Sequence, residues 1–193
     1  MRYEVHRFSR ERLADFFAVH STANEAGWCF CAAWWVPTWE GWGARSAEDN
    51  RSVRDRLCEA GQYDGYLIYV DGRPAGWCQA GPRDRLRKLC NQYNLEPSPE
   101  TWAITCFLIP PEHRRSGLAS RLLDGVLADL RSMAVRRVEA FPRRGDGLEA
   151  GDLWTGPEEI YRRAGFDVAR EDSRRPILAL DLEGPGKPTG GDR

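Results

Sequence analysis

No apolar run in this chain approaches the roughly 20 residues that a membrane-spanning helix needs, so no membrane contact is expected. Neither sign of charge is in excess: 28 Lys and Arg stand against 29 Asp and Glu, a net charge of −1. Nothing therefore marks the whole chain as a nucleic-acid binder. The opening MRYEVHRFSRERL scatters charges among its apolar residues, unlike a secretory leader, and points to a cytoplasmic protein. In that compartment the six Cys, at 29, 31, 58, 78, 90 and 106, are expected as reduced thiols. They lack the two ligand pairs of a structural zinc site: one Cys29-x-Cys31 unit stands with its other thiols isolated on expected strands. Packing thiols and no metal are the first reading. A metal is the second, because alternate residues of an extended segment face the same way. No internal repeat is visible.

What is present suits one domain with a single core over residues 1–183. The tail 184–193 has no apolar side chain to bury beyond its prolines and is expected to be disordered. Arg2 to Phe8 alternates as a strand, and Ser9 is placed to cap a helix reaching about His20. Ser21 to Asn24 breaks that pattern. Ser46-Ala47-Glu48-Asp49 has the form of a capping box, with a helix to about Ala60. Asp71-Gly72 joins two short strands as a hairpin. A short helix is expected within Arg83 to Tyr93, then a strand from Trp102 to Ile109 and a long helix from Ser116 to about Met133. A strand from Arg136 to Phe141 and a glycine-rich loop follow. Thr155-Gly156-Pro157-Glu158 is placed to cap another helix, which Gly165 ends before two closing strands. Alternating strands and crossover helices give an α/β (α+β) fold, a mixed sheet covered on both faces.

The stretch CFLIPPEHRRSGLA carries the chemistry. A strand stops at Pro110-Pro111, and a basic, glycine-containing turn opens a helix with Leu118, Leu122, Leu123, Val126, Leu127 and Leu130 on one face. Such a turn aims backbone N–H groups and a positive helix end at a phosphate. Arg114-Arg115-Ser116-Gly117-Leu118-Ala119, followed downstream by Tyr161-Arg162-Arg163-Ala164-Gly165-Phe166, resembles the paired motifs of the GNAT N-acetyltransferase superfamily. Cys29-Phe30-Cys31 with Trp34-Trp35, and Gly76-Trp77-Cys78 running into Gly81-Pro82-Arg83, resembles a subset whose acceptors are largely unassigned.

The resemblance implies a mostly antiparallel sheet of six to seven strands with acetyl-CoA as acyl donor. Its pantetheine arm would pair with Phe107, Leu108 and Ile109, and its pyrophosphate would lie over Arg114, Arg115, Ser116, Gly117, Leu118, Ala119 and Ser120. Tyr161 matches the family's acid, which protonates the leaving thiolate; packing is its other reading. No carboxylate lies on the strand from Trp102, so the base is open between Glu139, read here as a solvent-facing residue, and a water relay. A thiol route through Cys106 is a further alternative. The aromatics between Trp28 and Trp42 fall where the family builds its acceptor floor. Trp28, Trp34 and Trp35, with Gln79, are the candidate acceptor contacts, for an apolar or planar amine or a cation held against a ring face. The implied reaction is transfer of acetyl from acetyl-CoA to a primary amine of a small molecule by direct attack in a ternary complex. A non-catalytic acyl-CoA-binding module on the same fold is the alternative, and a homodimer is compatible with the sequence.

Overall fold

The structure is a computed structural model and describes residues 1–22, 27–62, 64–149 and 151–182. The expected tail 184–193 and Ala23–Asn24 of the expected break lie outside the described residues, whereas Ser21 and Thr22 continue the first helix rather than break it. In chain order the elements are β1 (Tyr3–Arg7), α1 (Leu13–Thr22), α2 (Ala47–Glu59), β2 (Tyr66–Val70), β3 (Arg73–Pro82), α3 (Arg87–Tyr93) and β4 (Thr101–Leu108). Then come α4 (Leu118–Ser132), β5 (Arg137–Ala140), α5 (Glu158–Arg163), β6 (Asp167–Arg170) and β7 (Ile177–Asp181). One seven-stranded sheet results, ordered β1-β2-β3-β4-β5-β7-β6, antiparallel except between β4 and β5.

Alternation along the strands feeds two cores. Tyr66, Ile68, Cys78, Ile104 and Phe107 face α4 and α5 with the leucine stripe 118–130, whereas Leu67, Trp77, Cys106 and Leu108 pack with Phe16 and Val19 of α1. The capping box at α2 forms as expected: the Ser46 hydroxyl accepts from the Asp49 amide at 3.0 Å, and Asp49 accepts from the Ser46 amide at 3.0 Å. Asp71 and Gly72 close the β2–β3 hairpin with φ of +48° and +78°.

Two expected caps are corrected. The chain enters α1 through a 3-10 turn at Arg10–Arg12, and the buried Ser9 hydroxyl has no hydrogen-bond partner. At α5, Pro157 holds the N-cap position with no side-chain cap, because Tyr161 draws the preceding turn inward by its carbonyl.

The feature that shapes the site is a bulge. Gln79 pairs with Cys106 but Ala80 pairs with Ile104, so Thr105 is an extra residue on β4. It inverts the alternation, turning Ile104 toward α4 and Cys106 toward α1. At the same point β4 parts from β5, whose pairing ends at Ile104 with Ala140. Beyond it, β4 keeps β3 on one side only.

Candidate functional site

That parting opens a cleft of about 790 Å³. One wall is β4 and its continuation, Cys106 to Ile109; Arg114 and Arg115 stand at one end. Trp28, Trp39 and Trp42 also line it, and Leu148, Leu153, Trp154 and Pro157 come from the segment between β5 and α5. The Phe107 amide donates to the Trp154 carbonyl at 2.6 Å, so that segment is tied to the exposed β4 edge.

Past the double proline the backbone coils. Arg115 has φ +59° and Gly117 φ +77°, left-handed conformations that turn successive amides to one side. A Cβ at Gly117 would meet nothing within 4 Å, so the first turn of α4 is approachable from outside. There the leading amides of a 15-residue helix have no partner within it. Ser116 is exposed and its hydroxyl donates to the His113 carbonyl at 2.6 Å; Leu118 is in the core, and Ala119 is half-buried beside it. Ser120 is half-buried. The sequence has five adjacent arginine pairs, and the four at 114–115, 136–137, 143–144 and 162–163 separate here. Arg136, Arg137, Arg143, Arg144, Arg162 and Arg163 each hold a carboxylate, and Arg114 Nε donates to the Ile109 carbonyl at 2.9 Å. Among the described residues, Arg115 alone of these eight has no hydrogen-bond or salt-bridge partner, and it lines the cleft.

Tyr161 is fully buried, its ring 6.2 Å from that of Phe107 and its hydroxyl donating to the Thr155 carbonyl at 2.6 Å. Burial, ahead of the nearby Cys78 and Cys106, raises its pKa well above the ordinary phenol value, so it stays protonated. Glu139, expected to face solvent, is instead buried, with Arg83 at 2.6 Å and Arg137 at 3.3 Å. It fastens the turn before α3 to the sheet, so it is not a free base. Gln79 is likewise buried, its amide nitrogen on the Asp64 carbonyl at 2.7 Å.

Of the candidate acceptor contacts, Trp28 lines the cleft. Trp34 and Trp35 border a separate cavity of about 710 Å³ together with Arg85, Arg87 and Lys88. The loop that carries them is strained: Phe30 and Cys31 have φ of +41° and +46°, conformations costly for residues with a Cβ. Fully buried Arg54 fixes it, donating to the Phe30 carbonyl through Nε at 2.9 Å and a second nitrogen at 2.5 Å. Cys29 and Cys31 thereby reach the cleft, and Cys31 Sγ lies 3.0 Å from Cys106 Sγ. All six cysteines are free, and burial raises the Cys31 thiol well above its ordinary pKa. Among the described residues no group of three or more His, Cys, Asp or Glu is arranged to hold a metal.

Sequence reasoning missed Arg54 and Lys88, because nothing in a linear pattern says that a cation will be buried. It also read Arg143 to Gly151, which holds Leu148, only as a glycine-rich loop, and gave no role to Leu153 and Trp154 just after it. A tryptophan directly after a glycine-rich loop was the signal.

The model of the acetyltransferase (GNAT) family matches residues 28–154 of the chain, about two thirds of it. No curated protein sequence matches. Solved structures share the fold at low identity. The ribosomal-protein-S18-alanine N-acetyltransferase of Escherichia coli is 14% identical, with 97% of this chain and 98% of that one covered and a TM-score of 0.56. The PaiA N-acetyltransferase of Thermoplasma acidophilum, in complex with coenzyme A, is 12% identical over 94% and 99%, at 0.54. A GNAT family acetyltransferase of Brucella melitensis in complex with acetyl-CoA is 15% identical over 98% and 94%, at 0.53.

Proposed function

The chain belongs to the acetyltransferase (GNAT) family, and from that premise we propose that it transfers acetyl from acetyl-CoA to the primary amine of a small molecule. The observation that carries the reading is the unpartnered Arg115 beside the coiled turn at Gly117, where amides, helix end and guanidinium all favour a diphosphate. Arg114, Ser116, Leu118, Ala119 and Ser120 supply the rest of that turn. The pantetheine arm would follow the open side of Phe107, Leu108 and Ile109 as an added strand. Since the Phe107 amide already serves Trp154, the arm either displaces that contact or runs beside it. No metal is required.

In the ternary complex the amine lone pair attacks the thioester carbonyl. An N–C bond forms and the carbonyl electrons move to oxygen, which the Ile109 amide would stabilise. Collapse breaks the C–S bond. The thiolate takes a proton, for which Tyr161 is the assigned donor, and the new amide nitrogen loses its proton to water, since Glu139 is paired.

Gly117→Glu puts a carboxylate where the diphosphate would lie, and calorimetry should show acetyl-CoA affinity lost in a variant whose circular dichroism is unchanged. Unchanged affinity would overturn the assignment. Tyr161→Phe should lower kcat by about 100-fold or more, the usual range for general acid catalysis, while acetyl-CoA affinity holds. A second reading, an acyl-CoA-binding module without transfer, is favoured by one observation: the Tyr161 hydroxyl is already committed to Thr155. Tight binding with no transfer across an amine panel would select it.

A further inference from the structure

Among the described residues that line the cleft, the charged side chains are both cations, and two further cations lie behind its wall. Arg114 and Arg115 stand at one end, and Arg54 lies fully buried behind the Cys29–Cys31 turn. At the aromatic end Lys88 is buried, donating to the Ala33 and Thr38 carbonyls at 2.9 Å each. Its Nζ sits 3.3 Å from the centroid of the Trp39 ring and 5.6 Å from that of Trp42. A ring face that would attract an ammonium group already serves one. Among the described residues that line the cleft there is no carboxylate and no histidine.

The same end is a wall of rings in contact with one another. Trp28 and Trp42 lie with centroids 5.1 Å apart and planes tilted by 39°, and Trp39 stands edge-on to Trp42 at 6.1 Å and 89°. Leu148, Leu153 and Trp154 add further apolar lining. Such walls select a planar, apolar body.

Resting on the acetyl-transfer reading, we propose that the acceptor is a weakly basic aromatic amine, neutral in solution, stacked among Trp28, Trp42 and Trp154, and that the cleft excludes polycations. An alkylamine with the basicity of a lysine side chain is protonated in all but about one molecule in a thousand at pH 7. It would meet a field of its own sign and no described base to take its proton. An amine whose lone pair is delocalised into an aromatic ring arrives neutral, so attack on the thioester needs no deprotonation beforehand. The N–C bond forms first, collapse of the oxyanion then breaks the C–S bond, and the nitrogen's surplus proton leaves to water.

The test sets the full-length protein with acetyl-CoA against aniline, 2-naphthylamine, spermidine and an alanine-terminated peptide. The expected kcat/KM for the aromatic amines exceeds that for spermidine by about 100-fold or more, a discrimination of the size that buried charge mismatch produces. Trp28→Ala and Trp42→Ala should each raise KM for 2-naphthylamine by about 10-fold, the scale of an aromatic anchor, with acetyl-CoA affinity unchanged. Lys88→Met should narrow the gap by raising spermidine turnover. Preference for spermidine or the peptide, or an aromatic KM indifferent to both tryptophan variants, overturns the proposal while leaving acetyl transfer standing. Failure to bind acetyl-CoA at all removes both.

Discussion

His20 shows how one buried side chain sets the acid stability of the protein. Its ring is shut in, with its centroid 3.9 Å from that of Phe16 and the planes tilted by 35°, and Nδ1 meets the Phe16 carbonyl at 2.9 Å. Burial pushes its pKa down to about 3; the carbonyl opposes this, and nearby Arg54 adds to it. The folded chain therefore keeps His20 neutral while the unfolded chain takes up a proton below about pH 6.5. Stability from this group is complete above pH 6.5 and is lost as pH falls toward 3, at about 1.4 kcal/mol per pH unit. Between pH 6.5 and 5 it contributes about 2 kcal/mol of destabilisation. Urea unfolding of His20→Gln at those two pH values should show a fall smaller by that amount. An equal fall in both proteins would mean that other groups carry the acid sensitivity. Little of this was legible beforehand, since a histidine near the end of an amphipathic helix gives no sign of which neighbours will close over it. Glu139 makes the same point: strand alternation alone put it in solvent, but Arg83 came from a distant part of the chain to pair with it, beside Arg137 two residues away on its own strand.

Among the elements, the contact of α4 with β1 leaves no room for a methyl group at Gly125. A Cβ there would lie 2.5 Å from Val5 Cγ2 and 2.6 Å from Val5 Cβ, atoms fixed to the strand. Alanine would gain about 1 kcal/mol in helix propensity, but overpacking costs about 1–3 kcal/mol. Gly125→Ala is therefore expected to destabilise by up to about 2 kcal/mol. Adding Val5→Ala should recover part of the loss, which thermal or urea unfolding of the double variant would reveal; full additivity of two losses would refute the contact. Elements with local chemical signatures were readable in advance. The Ser46–Asp49 box, the Asp71-Gly72 turn and the leucine stripe of α4 each state their structure within a few residues. The Thr105 bulge does not, because it exists only in the register between β3 and β4 and has no composition of its own. Yet it is the bulge that turns Cys106 toward α1 and coincides with the loss of β5 as a partner.

At the scale of the whole molecule, the seam between β4 and β5 divides the sheet into β1–β4 on one side and β5–β7 on the other. Beyond Ile104 what spans the seam is the Phe107–Trp154 hydrogen bond, a narrower tie than a strand ladder. A ligand that lies along β4 and rests on the first turn of α4 would bridge this seam, and so stabilise the fold as a unit. At 100 times its dissociation constant, a ligand that binds only the folded chain adds about 2.7 kcal/mol. For a chain of 193 residues that corresponds to a rise in Tm of about 5–10 °C. Acetyl-CoA should give such a rise in a thermal-shift measurement, and Gly117→Glu should give none. Hydrogen exchange adds the spatial part: protection on binding should concentrate at Phe107 to Ile109 and Gly117 to Ser120. If protection appears instead around Arg85 and Arg87, the cofactor occupies the cavity bordered by Trp34 and Trp35, and the assignment of the seam as the acyl-donor site is wrong.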